Sequence, residues 1–138
     1  MFRMTRSAAL GVVLSTAFAV ASVAIADIKG PQEHKGVSVS NRAALELGPQ
    51  IPAMEGYQVR IRKVVVEPGG VVKQHEHSTR PGAYFVIRGD GVAEYRGGKK
   101  SIVPAGTAVL ESQDVDHWIV NEGNEAEFFV FDIVPVDN

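Results

Sequence analysis

Beyond residue 48 the chain is a succession of short apolar or alternating runs separated by Gly, Pro, Asn and Asp, with no 3.6-residue period among them. Tyr57-Gln-Val-Arg-Ile-Arg-Lys-Val-Val-Val opens with strict alternation, which puts Tyr57, Val59 and Ile61 on one face of a half-buried strand. Ala83 to Arg88 is apolar, too short for a helix and flanked by glycines, and reads as a buried strand. Further strands are predicted at Val92 to Arg96, Lys99 to Val103, Thr107 to Leu110, His117 to Asn121 and Glu125 to Val136. Gly89-Asp90-Gly91, Gly97-Gly98, Pro104-Ala105-Gly106 and Glu122-Gly123-Asn124 supply the turns between them. Upstream, Val37 to Leu47 fits either a strand or one helical turn, and Gly48-Pro49 and Pro52 break any helix there. Short strands at this spacing predict an all-β antiparallel sandwich or barrel.

The first 26 residues follow a different pattern. Arg3 and Arg6 precede an uncharged run of small and apolar residues that ends in Ala24-Ile25-Ala26, before Asp27. A basic start, an apolar middle and an A-x-A end describe a cleavable secretory signal. The run is also about long enough to span a bilayer, which is the competing reading. Taking cleavage as the expectation, residues 1–26 are a signal peptide, 27–36 a loose polar tail, and 37–138 one β-barrel domain. The mature protein is then exported, periplasmic or secreted, with no stable membrane anchor.

Composition narrows the chemistry. Fourteen Lys and Arg stand against 16 Asp and Glu, a net charge of −2, with no basic stripe to bind nucleic acid. Without cysteine there are neither disulfides nor thiolate metal sites. Histidine is the informative residue. His75-Glu76-His77 lies between Pro68-Gly69-Gly70 and Pro81-Gly82, on a predicted short strand. Side chains at i and i+2 of a strand share a face, about 6 to 7 Å apart. His75 and His77 can therefore converge on one metal ion; two solvated histidines on an edge strand are the plain alternative. His34 falls in the polar tail and reads as solvated.

The third histidine enters through a resemblance. Gly69, five residues, His75-Glu76-His77, four residues, Gly82, six residues and Gly89 fit the frame of the first cupin motif. Gly106, five residues, Ser112-Gln113-Asp114, two residues, His117, three residues and Asn121 keep the spacing of the second. From about residue 56 to 135 the chain resembles the cupin family, whose members are small jelly-roll barrels. The resemblance implies a jelly-roll fold and the metal ligands His75, His77 and His117, with Asn121 supporting a turn. The chain departs from the pattern in two ways. Gly82 stands where the family carries a glutamate ligand, and Ser112 and Asp114 replace the Pro and Gly of the second motif.

Three imidazoles without a carboxylate leave a divalent ion its full charge and more than one open position, which suits direct binding of substrate or water. Cupins of that kind resemble non-haem dioxygenases acting on a small molecule. A zinc hydrolase or lyase, or a non-catalytic periplasmic cupin that binds or senses a metal or small ligand, fits the same residues. Fe, Zn, Mn, Cu and Ni are not distinguished, and no catalytic residue is assigned. A small-molecule substrate or ligand is the expected partner, with a homodimer as the further expectation. Lys73 and Arg80 read as rim residues, and Glu111 could add a carboxylate if the turn after it allows. Tyr84, Phe85, Phe128, Phe129 and Phe131 read as core, and Trp118, alternating with His117, faces away from the metal.

Overall fold

A computed structural model describes residues 28–136, so the signal-peptide reading lies outside the described residues. The strands are β1 (Lys35–Glu46), β2 (Tyr57–Glu76), β3 (Gly82–Arg88), β4 (Val92–Arg96), β5 (Lys99–Ile102), β6 (Ala108–Glu111), β7 (Asp116–Asn121) and β8 (Ala126–Pro135). A single 3₁₀ turn, Pro52–Met54, joins β1 to β2. All described pairings are antiparallel, in the order β5-β4-β7-β2-β8-β3-β6, with β1 added against β2. The jelly-roll expectation is met.

β2 organises the barrel because it belongs to both walls. Residues 57–66 pair with β8, while Val71 to Glu76 pair with β7. Pro68-Gly69-Gly70 marks the corner between them, with Gly69 at φ 70°, a left-handed conformation that only glycine adopts cheaply. A corner leaves backbone carbonyls without ladder partners. Fully buried Asn121 satisfies two of them, donating from Nδ2 to Val66 O (2.9 Å) and Glu67 O (3.1 Å). The same amide also reaches Asn124 O at 2.8 Å, tying the corner to the β7–β8 turn. Asn121 is structural, as its motif implies.

Val64, Val66, Tyr84, Val86, Val92, Val103, Ile119, Ala126 and Phe128 form the core. Four expectations change. Val37 to Leu47 is a strand for most of its length, not a helical turn, because it has an edge of β2 to pair with. Residues 28–34 are not a loose tail: Gly30 N donates to Gln74 Oε1 (2.7 Å), and Gln74 N donates to Pro31 O (2.8 Å). On β2 the Tyr57-Val59-Ile61 face is the outer one, and Tyr57 is exposed, whereas Val64 and Val66 are buried. The charged residues Arg60 and Arg62 therefore share the inward face. Finally, only Tyr84 and Phe128 of the five aromatic core candidates are buried; Phe85, Phe129 and Phe131 point outward and are 38–40% exposed. Each exposed ring alternates with a buried neighbour, so both sheet faces are apolar here.

Candidate metal centre

β2 and β7 bring two of the histidines together by register alone. His75 and His117 are direct cross-strand partners, and directly opposed residues lie roughly 5 Å apart at Cβ. His77 follows the end of β2 and is buried, its backbone N–H bonded to Val115 O at 3.0 Å. The rings meet at their Nε2 atoms, with His117 Nε2 3.1 Å from those of both His75 and His77.

The opposite nitrogen of each ring is already held. His75 Nδ1 lies 2.8 Å from Lys73 O, His77 Nδ1 3.1 Å from Arg80 O, and His117 Nδ1 2.6 Å from the Glu94 carboxylate. Carbonyl and carboxylate oxygens only accept, so each Nδ1 carries the proton and each neutral ring turns an Nε2 lone pair inward. Three lone pairs aimed at one point repel unless a cation sits between them.

A carboxylate completes the set. Glu111, at the end of β6, is buried, with Oε1 3.3 Å from His117 Nε2 and 3.5 Å from His77 Nε2. Its Oε2 is buried with no hydrogen-bond partner. One ligand atom from each of His75, His77, Glu111 and His117 lies within 4.8 Å of the others. Three neutral imidazoles, one carboxylate and an orphaned carboxylate oxygen fit a divalent first-row transition metal.

This corrects the expectation of a site without a carboxylate. Gly82 contributes none, but its cross-strand partner in β6 is Glu111. A Cβ at Gly82 would lie 2.3 Å from Phe131 O, so the position has room for no side chain. In the turn after Glu111, Ser112 hydroxyl bonds the Asp114 carboxylate, and Val115 N donates to Ser112 O at 3.0 Å. Ser112 and Asp114 thus hold the turn that delivers His117.

Burial pushes the His75 imidazole down to about 4. Burial also lowers His77, against the opposing pull of Glu111. At His117 burial acts downward too, but the Glu111 and Glu94 carboxylates outweigh it and the pKa is raised. Glu94 is the residue that sequence reasoning missed. It is buried, bonded also to Arg96 Nη2 at 2.8 Å, and fixes the ring plane of His117. No sequence signal marked it: its burial in a strand beside the fully buried Val92 and Ala93 is seen only in the structure.

The centre opens on a cavity of about 320 Å³. Val37, Val39, Val64, Val72, Phe128 and Val130 supply its hydrocarbon wall. Arg62, Lys73, Arg80 and His34 also line it, so neither rim residue faces away and His34 is not remote. His34 Nδ1 accepts from Lys73 N at 3.2 Å. Trp118 does face away, stacked on Tyr95 at 5.0 Å.

Residues 62–134 match the family model described as "Cupin domain". No curated protein matches the chain. Among solved structures, a predicted oxalate decarboxylase from Thermotoga maritima aligns with TM-score 0.53 and 22% identity, over 80% of this chain and 95% of that one. An oxalate oxidase in complex with glycolate aligns with TM-score 0.53 and 24% identity, over 74% of this chain and 56% of its own length. KdgF from Halomonas sp. aligns with TM-score 0.51 and 17% identity, over 60% of this chain and 82% of that one. At these identities the likeness is one of fold.

Proposed function

The chain belongs to the cupin family, and from that footing we propose that it is a metal-dependent oxidoreductase of the dioxygenase type acting on a small molecule. His75, His77, Glu111 and His117 hold one divalent ion. The observation that carries the reading is the convergence of three Nε2 atoms whose Nδ1 partners are fixed by Lys73 O, Arg80 O and Glu94. Four protein donors would leave room on a six-coordinate ion for a substrate oxygen and a second small ligand. The bound ion would supply Lewis acidity and, if redox-active, electron transfer. The protein holds the rings, disfavours protonation of His75 and His77 by burying them, and walls the cavity with hydrocarbon. Two structural neighbours are named for oxidation and decarboxylation of oxalate, which supports a small oxygen-bearing substrate. The leader-like residues 1–26 support export, and the outward Phe85, Phe129 and Phe131 support a homodimer packed on that face. Binding without turnover is the other reading that the 320 Å³ cavity allows. Oxygen uptake by iron-, manganese-, copper- or nickel-loaded protein, assayed against thiols, diketones and small carboxylates, tests the proposal. Uptake that requires both metal and substrate is expected; metal and ligand binding with no uptake would favour the binding protein.

A further inference from the structure

The inward face of β2 carries charge where a barrel interior calls for hydrocarbon. Asp132, 2% exposed, accepts from Arg60 Nε (3.0 Å) and Nη2 (2.9 Å) and from Arg62 Nη2 (2.7 Å), and Arg80 Nη1 lies 3.9 Å away. Three guanidiniums thus share one carboxylate. Arg60 takes both of its oxygens in a fork, which is the geometry that neutralises it best. Arg62 reaches only one of those oxygens, and its Nε is buried with no hydrogen-bond partner.

Arg62, Arg80 and Lys73 all line the cavity, and Glu111 is the one carboxylate among the lining residues. Glu111 is turned to the histidines. A divalent ion at the centre would add two more positive charges. Arg62 is the least exposed of these three cations and keeps an N–H without a partner, so an occupant with a negative charge complements it best. The valine wall and Phe128 offer no second charge, so the rest of that occupant is hydrocarbon. A volume of about 320 Å³ is at the small end for ligand sites.

We propose that the cavity takes a small monocarboxylate with a compact hydrocarbon body, its carboxylate held by Arg62 and its body against the valines. This rests on the metal-centred reading above for its chemistry, but not for its binding. Arg62 is a positioning residue: it fixes one end of the molecule so that the other reaches the centre.

The test is calorimetric titration of the full chain, zinc-loaded and chelator-treated, with 3-methylbutanoate, its neutral amide and inorganic phosphate. The acid should bind at least tenfold more tightly than the amide in both metal states, and more tightly than phosphate. Arg62→Gln should bring the acid to the level of the amide while zinc content stays unchanged, and Arg62→Lys should restore part of the preference. Equal binding of acid and amide by the wild-type chain would overturn the proposal. So would phosphate binding as tightly as the acid, or an acid preference that survives Arg62→Gln. Should Arg62→Gln fail to fold, the wild-type comparison alone decides. A chain that takes no zinc yet prefers the acid would sink the metal reading and leave this one standing.

Discussion

Glu94 and Glu111 divide the work around His117: one fixes its ring from behind, the other would share its ion. Glu94→Gln should weaken metal binding by about 10- to 100-fold, the usual effect of losing such a partner, measured by competition against a chelator. The proton balance gives a second readout. His117 is raised, so it is the first of the three to protonate as pH falls. Below its pKa each ion bound displaces a proton, and apparent affinity should fall about tenfold per pH unit. His75, held down near 4, joins the competition only at acid pH. In Glu94→Gln the first step should move to lower pH, because a carboxylate that favoured the imidazolium is gone. Gly82 makes the opposite point. Its Cβ direction meets Phe131 O, so Gly82→Glu should not add a ligand, and Gly82→Ala should already destabilise, by about 1–3 kcal/mol in urea unfolding. The three histidines were legible because motif spacing survives without knowledge of the fold. Glu111 could be named only as an option, since which carboxylate reaches the ion depends on the β3–β6 register. Glu94 was invisible as a partner because no local pattern links it to a histidine 23 residues away.

β2 shows what alternation reveals and what it hides. The period of two in Tyr57 to Val66 correctly predicts a strand with Tyr57, Val59 and Ile61 on one face, but it does not reveal that this face is the outer one. Arg60 and Arg62 look like surface residues until Asp132, far along the chain, is seen to receive them. Likewise, the run from Pro68 to Gly70 reads as a break between two strands, whereas β2 bends and continues, with Asn121 capping the carbonyls that the bend leaves without ladder partners. Asn121→Ala should therefore cost about 3 kcal/mol, since it strands buried acceptors; denaturant unfolding measures it. Metal content at saturating ion should survive this change if the protein is folded. A loss of the ion without a loss of stability would mean that Asn121 serves the centre and not the corner.

At the scale of the whole molecule, the barrel puts four candidate ligands from β2, the segment after it, β6 and β7 on a cavity that is also lined by His34, the last residue of a strap, residues 28–34, held against β2. His34, although it lines that cavity, engages the Lys73 backbone and lies outside the four-residue cluster. His34→Ala should leave metal content unchanged, by elemental analysis of the purified variant. The barrel itself was legible from turn spacing. The docked strap was not, because Gly- and Pro-rich polar sequence looks the same whether it trails in water or is pinned by Gln74. The central claim is that these residues form one metal centre. Its most direct test is the metal-to-protein ratio after loading with zinc and exhaustive dialysis, compared between the wild-type chain and folded His117→Ala. One ion per wild-type chain and almost none in His117→Ala is the predicted result; full retention of the ion by His117→Ala would contradict the account.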